Sequence, residues 1–266
     1  MFKNMDYKIK FFSSDKKPIV VVVGCLHGDE LVGKKIIFRL RKIKLKKGTL
    51  ITIIANEKAV KQRKRFIDQD LNRSFPGKRN GNYEEILAYN ILKITKKADF
   101  VLDIHSATTD VKDLAIITKT KKAVLNFVYA INPRRIALMK KDIAGKSLIG
   151  YCKTAVSLEY GKDNSRATYK NTFSSIISFL EKEKMIDAKN KKREQRKIDF
   201  YEIKGVAKKE KNDVLKKNIK NFKLIKKGEI FAIRNNKGMV SKENFYPILF
   251  GEEAYGDIFG FKATKE

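Results

Sequence analysis

The run Pro18-Ile19-Val20-Val21-Val22-Val23 leaves this chain few choices. β-Branched side chains are stiff at χ1 and sit well on a pleated surface. An unbroken apolar run, rather than an alternating one, reads as a strand covered on both faces, which is the position a parallel sheet creates. Gly24 ends the run, and Leu31, Ile36, Ile37 and Leu40 then recur at helical spacing among Lys and Arg. The segment Cys25–Glu30 is therefore the loop at the carboxyl end of a strand, just before a helix over about 30–42. Open α/β sheets place their ligands there.

The same grammar repeats. Gly48 introduces a strand at Thr49–Ala55, a helix at Tyr83–Thr95 leads to a strand at Phe100–His105, and Thr154–Gly161 is a strand ending in a carboxylate. Thr172–Lys184 carries Phe173, Ile176, Ile177 and Leu180 on one stripe, an amphipathic helix. Tyr7–Phe12 reads as an edge strand and Leu114–Ile117 as a short one, while Ala123–Ala130 is apolar without a decisive period. The fold class is α/β: a mostly parallel or mixed sheet with helices on both faces. Beyond about 185 the texture changes. A charged run at Lys182–Lys197 gives way to short strand-like pieces at Phe200–Ile203, Phe222–Ile225, Ile230–Ile233 and Tyr246–Phe250. That predicts a sheet domain over 1–184 and a small β domain over 190–266.

Composition narrows the function classes. At 266 residues and 42% hydrophobic content the chain can bury a large core, and no apolar run reaches membrane-spanning length. Cys25 and Cys152 lack metal or redox spacing, so a reduced, cytoplasmic setting is expected. The net charge of +30 invites a nucleic-acid reading. Its lysines, however, are spread over nearly every segment, and no nucleic-acid motif accompanies them. The field they create would draw small anions. No specific nucleic acid and no membrane is expected as a partner, and a homo-oligomer is left open.

The chemistry gathers at strand ends. The chain has two histidines, His27 and His105, and both fall at the carboxyl ends of apolar runs. Glu30 follows His27 in a Gly-flanked turn. Two imidazoles and a carboxylate are the three protein ligands of a catalytic zinc, with a fourth position left for water. Between Asn56 and Asn82 lies a long non-periodic segment in which Arg65, Asp68, Asp70, Asn72 and Arg73 cluster. Arginine there offers a planar fork for a substrate carboxylate. Glu159, at another strand end, is placed to serve as a general base beside a metal site.

Four blocks stand in order: Gly24-x-x-His27-x-x-Glu30, Asp70-x-Asn72-Arg73-x-Phe75, Asp103-Ile104-His105-Ser106 and Leu158-Glu159-Tyr160-Gly161. Together they resemble the zinc carboxypeptidase superfamily, specifically its succinylglutamate desuccinylase/aspartoacylase branch. A weaker echo, Tyr246-Pro247 through Glu252-x-x-Tyr255, extends the likeness toward the C-terminus. The resemblance implies a zinc-dependent hydrolase of N-acyl amino acids or similar small carboxylate-bearing amides, with one Zn²⁺ per chain on His27, Glu30 and His105. It implies Asp70 behind His27, Asn72 and Arg73 on the substrate carboxylate, Arg65 on the oxyanion and Glu159 as proton carrier. Tyr255 would reach in from a β lid. One departure is visible: aspartoacylases carry a further arginine about ten residues before the glutamate, and 145–150 here contains only Lys146. Two rivals follow from the same residues, a carboxypeptidase acting on short peptides and a basic nucleic-acid-binding protein on an inactive hydrolase fold.

Overall fold

The computed structural model describes residues 6–11, 16–109, 111–188, 196–253 and 255–266. The chain opens with β1 (Asp6–Phe11), β2 (Ile19–Gly24), α1 (Val32–Leu40), β3 (Thr49–Ile54) and α2 (Glu57–Gln62). A single 3-10 turn at Leu71–Arg73 precedes α3 (Tyr83–Thr95) and β4 (Phe100–His105). Then come β5 (Leu114–Ile117), α4 (Lys122–Ile131), β6 (Arg135–Leu138), α5 (Lys141–Ala144), α6 (Leu148–Tyr151), β7 (Ala155–Glu159) and α7 (Arg166–Lys182). The remainder is β8 (Asp199–Lys208), β9 (Val214–Leu215), β10 (Ile230–Arg234), β11 (Lys237–Val240), β12 (Tyr246–Ile248) and β13 (Ile258–Lys265).

Ten strands form one mixed sheet in the order β1-β3-β2-β4-β7-β5-β6-β8-β13-β12. Its centre, β3-β2-β4-β7, is parallel, whereas β5 runs antiparallel to β7 and β1 antiparallel to β3. The valine run behaves as its composition demands. Val20 and Val22 face a layer built from α1, α4 and α7, while Val21 and Val23 face the layer of α3 and α6. Strand alternation sends successive side chains to opposite faces, so both layers claim a share of one hexapeptide. All four valines are fully buried. At about 25 cal/mol per Å² of apolar surface this run is among the strongest local contributions to the fold.

The sequence-based boundaries hold for α3, whose start is fixed by a reciprocal cap between Asn82 and Glu85. They hold as well for β4 and β5, and in several other places the structure corrects them. Ala123–Ala130 lies within helix α4, and Arg135–Leu138 is a strand too short to carry a period of its own. Helix α7 starts at Arg166, six residues earlier than the apolar stripe suggests, because Ser165 caps it by accepting from the Thr168 N–H. Phe222–Ile225 is not a strand. Phe222 adopts φ +66°, which breaks extended backbone, and only Ile225 makes a bridge, to Phe245. Residue 12 and much of the charged run, 189–195, lie outside the described residues.

The C-terminal residues do two things. Strands β8, β13 and β12 continue the main sheet, with β8 parallel to β6 along Arg135–Leu138. Strands β9, β10 and β11 form a separate antiparallel sheet over a small core that includes Phe231, Phe245, Phe250 and Phe259. Among the described residues no helix is long and apolar enough to cross a membrane.

Candidate active site

The site lies where β2, β4 and β7 deliver their carboxyl ends side by side. The parallel register pairs Gly24 with Ile104 and His105 with Glu159. His27 and Glu30 come from the loop between β2 and α1. Three contacts fix that loop. Gly28 N–H donates to the Arg65 carbonyl at 3.1 Å. A Cβ on Gly28 would overlap the backbone of Ala59 in α2, so only glycine fits. The Val32 N–H at the start of α1 donates to Asp163 at 2.6 Å.

Glu30 stands between the two imidazoles. Its Oε1 is 2.7 Å from His27 Nδ1 and its Oε2 is 3.0 Å from His105 Nδ1, while the Ser106 N–H also donates to Oε2 at 3.0 Å. The far ring nitrogens are held as well. His27 Nε2 is 3.1 Å from Asp70 Oδ1, and His105 Nε2 is 2.9 Å from Asp103 Oδ2. Each histidine thus presents Nδ1 inward and is braced at Nε2 by a carboxylate. This arrangement fixes tautomer and ring orientation wherever histidine binds metal. The donor atoms of His27, Glu30 and His105 all fall within 4.8 Å of one another, and all three residues are buried. Two nitrogens and a carboxylate oxygen at that spacing, with both Nδ1 atoms turned to Glu30, are donors that fit a tetrahedral divalent cation.

Electrostatics agree with the geometry. Burial works against charge on both histidines, but Glu30 and Asp70 outweigh it at His27, and Asp103 and Glu30 at His105, so both imidazoles are raised. Glu30 is held well below the usual carboxylate range: its burial is overcome by the two histidines. Asp70 is likewise lowered, against its burial, by the hydrogen bond from His27 and the charge of Arg65. Glu30 meets both inward ring nitrogens with its two oxygens, the side from which a cation would approach it. Glu159 behaves oppositely. Burial pushes its carboxyl up to about 8, His105 offsets part of that, and Glu30 adds to it. A partly buried acid with an upward-shifted pKa beside a cation site is a group suited to carrying a proton.

A cavity of about 470 Å³ opens over these groups, and His27, Glu30, Arg65, Asn72, His105, Glu159 and Tyr255 all line it. Arg65 bonds Asp70 Oδ2 through Nε at 3.2 Å and Nη2 at 3.1 Å, leaving Nη1 3.7 Å from Glu30 Oε1. Asn72 uses its side-chain oxygen to accept from the Leu148 N–H at 3.0 Å, so its amide nitrogen is the half left to the cavity. Tyr255 comes from the C-terminal residues and packs edge-on against Phe261, with its phenol pushed upward by burial. Arg73 is placed differently: it is exposed, donates from Nη1 to the Asn72 carbonyl at 2.9 Å, and is not among the cavity-lining residues. Lys146 is exposed too, and its segment packs behind Asn72 rather than into the cavity. Cys25 is fully buried with its thiol raised to about 12 by burial, which makes it inert as a nucleophile.

Asp103 and Asp163 belong to the site and escaped sequence reasoning. Asp103 carries His105, and its second oxygen, Oδ1, is buried with no hydrogen-bond partner among the described residues. The signal was present: Asp103 and His105 are two apart on a strand and so share a face. Reading it requires knowing which face meets the loop between β2 and α1.

Comparison with known proteins follows the same lines. Residues 16–182 match the family model of the succinylglutamate desuccinylase/aspartoacylase catalytic domain, and the chain belongs to that family. A probable aspartoacylase from Nostoc sp. (strain PCC 7120 / SAG 25.82 / UTEX 2576) is 32% identical over 105 residues. That match spans only 34% of this chain and 36% of the relative. Among solved structures, the ectoine utilization protein EutE from Ruegeria pomeroyi superposes with a TM-score of 0.77 at 18% identity, over 96% of this chain and 88% of that one. Murine aminoacylase 3 gives a TM-score of 0.76 at 19% identity, covering 96% and 97% of the two chains. A succinylglutamate desuccinylase/aspartoacylase from Rhodobacter sphaeroides gives 0.74 at 15%, covering 95% and 86%. At these identities the likeness is one of fold.

Proposed function

We propose that the chain is a cytoplasmic, zinc-dependent hydrolase that cleaves the amide bond of an N-acyl amino acid or a similar small carboxylate-bearing amide. The observation that carries this reading is the gathering of donor atoms from His27, His105 and Glu30 within 4.8 Å of one another, each imidazole braced from behind, in a cavity that Glu159 also lines. A zinc ion held by those three residues would polarise the scissile carbonyl and acidify water. The cavity volume of about 470 Å³ suits a small substrate rather than a folded protein chain.

The residues divide the work as follows. Glu159 accepts the proton of the attacking water and returns it to the nitrogen of the leaving amine. Its upward-shifted pKa makes both transfers accessible near neutrality. Arg65, already anchored to Asp70 by two of its nitrogens, directs Nη1 at the carbonyl oxygen as it gains charge. The amide of Asn72, together with the guanidinium of Arg73 once it leaves the Asn72 carbonyl, holds the α-carboxylate. Tyr255 closes the site from the C-terminal side. With Lys146 turned away from the cavity, nothing in 145–150 reads a second carboxylate, so N-acetylaspartate is not singled out among substrates.

A panel of N-acyl amino acids, each with its carboxylate free or blocked as an amide, tests the substrate class. Blocking should cost the parent enzyme about 2–5 kcal/mol in kcat/KM, as expected when one partner of a desolvated charge pair is removed. Arg73→Ala should lose a similar amount on free carboxylates and little more on blocked ones, since the two changes remove the same contact. Additive losses would place Arg73 on some other group.

A further inference from the structure

Glu84 is fully buried, on the first turn of α3, in a chain with twice as many basic as acidic residues, yet no cation meets it in the described structure. Its four hydrogen bonds all come from neutral donors. Oε1 accepts from the Ile67 N–H at 2.7 Å and from Asn56 Nδ2 at 3.0 Å; Oε2 accepts from the Asp68 N–H at 3.0 Å and the Gln69 N–H at 3.3 Å. Three consecutive backbone amides converge on one carboxylate. They belong to a stretch with neither helix nor strand, where those donors have no ladder to satisfy them. Such charge-assisted bonds are about twice as strong as neutral ones.

The stretch they organise runs from Arg65 to Asp70, and both of its ends enter the active site. Arg65 and Asp70 bond each other, and Asp70 braces His27 Nε2. The other contacts of Glu84 stiffen the same frame. Asn56, which donates to it, also caps α2 by accepting from the Ala59 N–H. The Tyr83 N–H, next to Glu84 in sequence, donates to Asp68 Oδ2 at 3.0 Å. We infer that Glu84 is a positioning residue: its carboxylate holds the 65–70 loop and thereby sets where Asp70 and Arg65 stand against His27. His105 takes no part in this, because Asp103, its brace, sits on β4 and is held by the sheet. The inference rests on the reading of His27 and Asp70 given above and extends it to a residue that touches neither substrate nor metal.

The two histidines supply a direct readout, since their imidazoles are the only two in the chain. In Glu84→Gln the side chain keeps its size, but one acceptor oxygen becomes an NH₂ that faces N–H donors. Ring ¹⁵N–¹H correlation spectra of the full-length variant should show the His27 signals displaced or broadened and those of His105 unchanged. Zinc affinity, read by competition with a chromophoric chelator, should fall, by less than the roughly 10–100-fold that follows direct loss of a ligand's supporting contact. Glu84→Asp, which keeps the charge and withdraws it by one methylene, carries the same test if the glutamine variant does not fold. Equal displacement of both rings would make Glu84 general structural glue and overturn the inference, as would two unchanged rings. Turnover is not the readout, so an error in the substrate class would leave the two ring signals to decide.

Discussion

The two histidines of the site are braced in the same way by two very different pieces of the molecule. His105 and its partner Asp103 share one strand at the centre of the sheet, and Asp103 is almost wholly buried. His27 sits in a loop, and its partner Asp70 lies on a second loop, about a fifth exposed and tied to Arg65. The strand-borne half is rigid by construction, because its geometry is that of the parallel ladders to β2 and β7. The loop-borne half is held by individual hydrogen bonds, at Glu84, Gly28 and Asp163. The first supplies a fixed floor. The second supplies Arg65, Asn72 and Arg73, the groups assigned here to substrate, and loops are where such residues are usually found.

Removing a ligand from either half should have the largest effect and should abolish the contrast. His27→Ala and His105→Ala should each lose bound zinc on buffer exchange, since a site reduced to two protein ligands holds the ion far more weakly. Metal analysis after gel filtration checks this, and a retained equivalent of zinc in either variant would break the proposed coordination. Next in size is Glu159→Gln. It should keep zinc and fold while turnover falls by about 10²–10⁴, the range for loss of a general acid–base group.

The braces sharpen the comparison. Asp103→Asn and Asp70→Asn should each weaken zinc by about 10–100-fold. Asp103→Asn should fall at the upper end, because its strand and burial leave no room to adjust, whereas the Asp70 loop can shift and admit water. Competition titrations on the two variants measure the difference, and a larger loss at Asp70 would reverse the assignment of rigid and adjustable halves.

Stability supplies a separate readout. In the metal-free protein the Glu159 carboxyl titrates near 8, above the unfolded value of 4.5. The folded state therefore binds the extra proton between those values, and stability is present below 4.5 and lost as pH rises through about 8. The slope is at most about 1.4 kcal/mol per pH unit. Glu159→Gln should flatten this part of the metal-free profile in denaturant titrations, and a slope unchanged by the substitution would assign it to other groups.

How much was legible in the sequence follows the same division. The strand-borne half could be read except for its brace, Asp103: an unbroken valine run, a histidine at the end of another apolar run and a glutamate at the end of a third announce parallel strands and their carboxyl ends. The sheet's extension was harder to see. Strand β6 is four residues long, and β8 continues past Ile203 to Lys208 with no clean alternation, so neither declares itself by period. β13 was missed although its pairing with β8 is extensive, because a glycine at φ +152° and two register shifts interrupt its pattern. In the loop-borne half the residue types were informative and their arrangement was not. Nothing local to Glu84 shows that it turns inward to collect three backbone amides while its neighbour Glu85 caps the helix and pairs with Lys78. Arg73 illustrates the reverse case, since its motif position points to the substrate while its exposed side chain bonds the Asn72 carbonyl and does not line the cavity.

The central claim is that the braced pair of histidines and Glu30 hold one catalytic zinc per chain. Chelator-stripped protein titrated with zinc, with bound metal and turnover of an N-acyl amino acid followed together, tests it most directly. Turnover rising in proportion to zinc and breaking at one equivalent per chain is the result this account predicts. Full turnover in the stripped protein, or binding of one zinc with no gain in turnover, would contradict it.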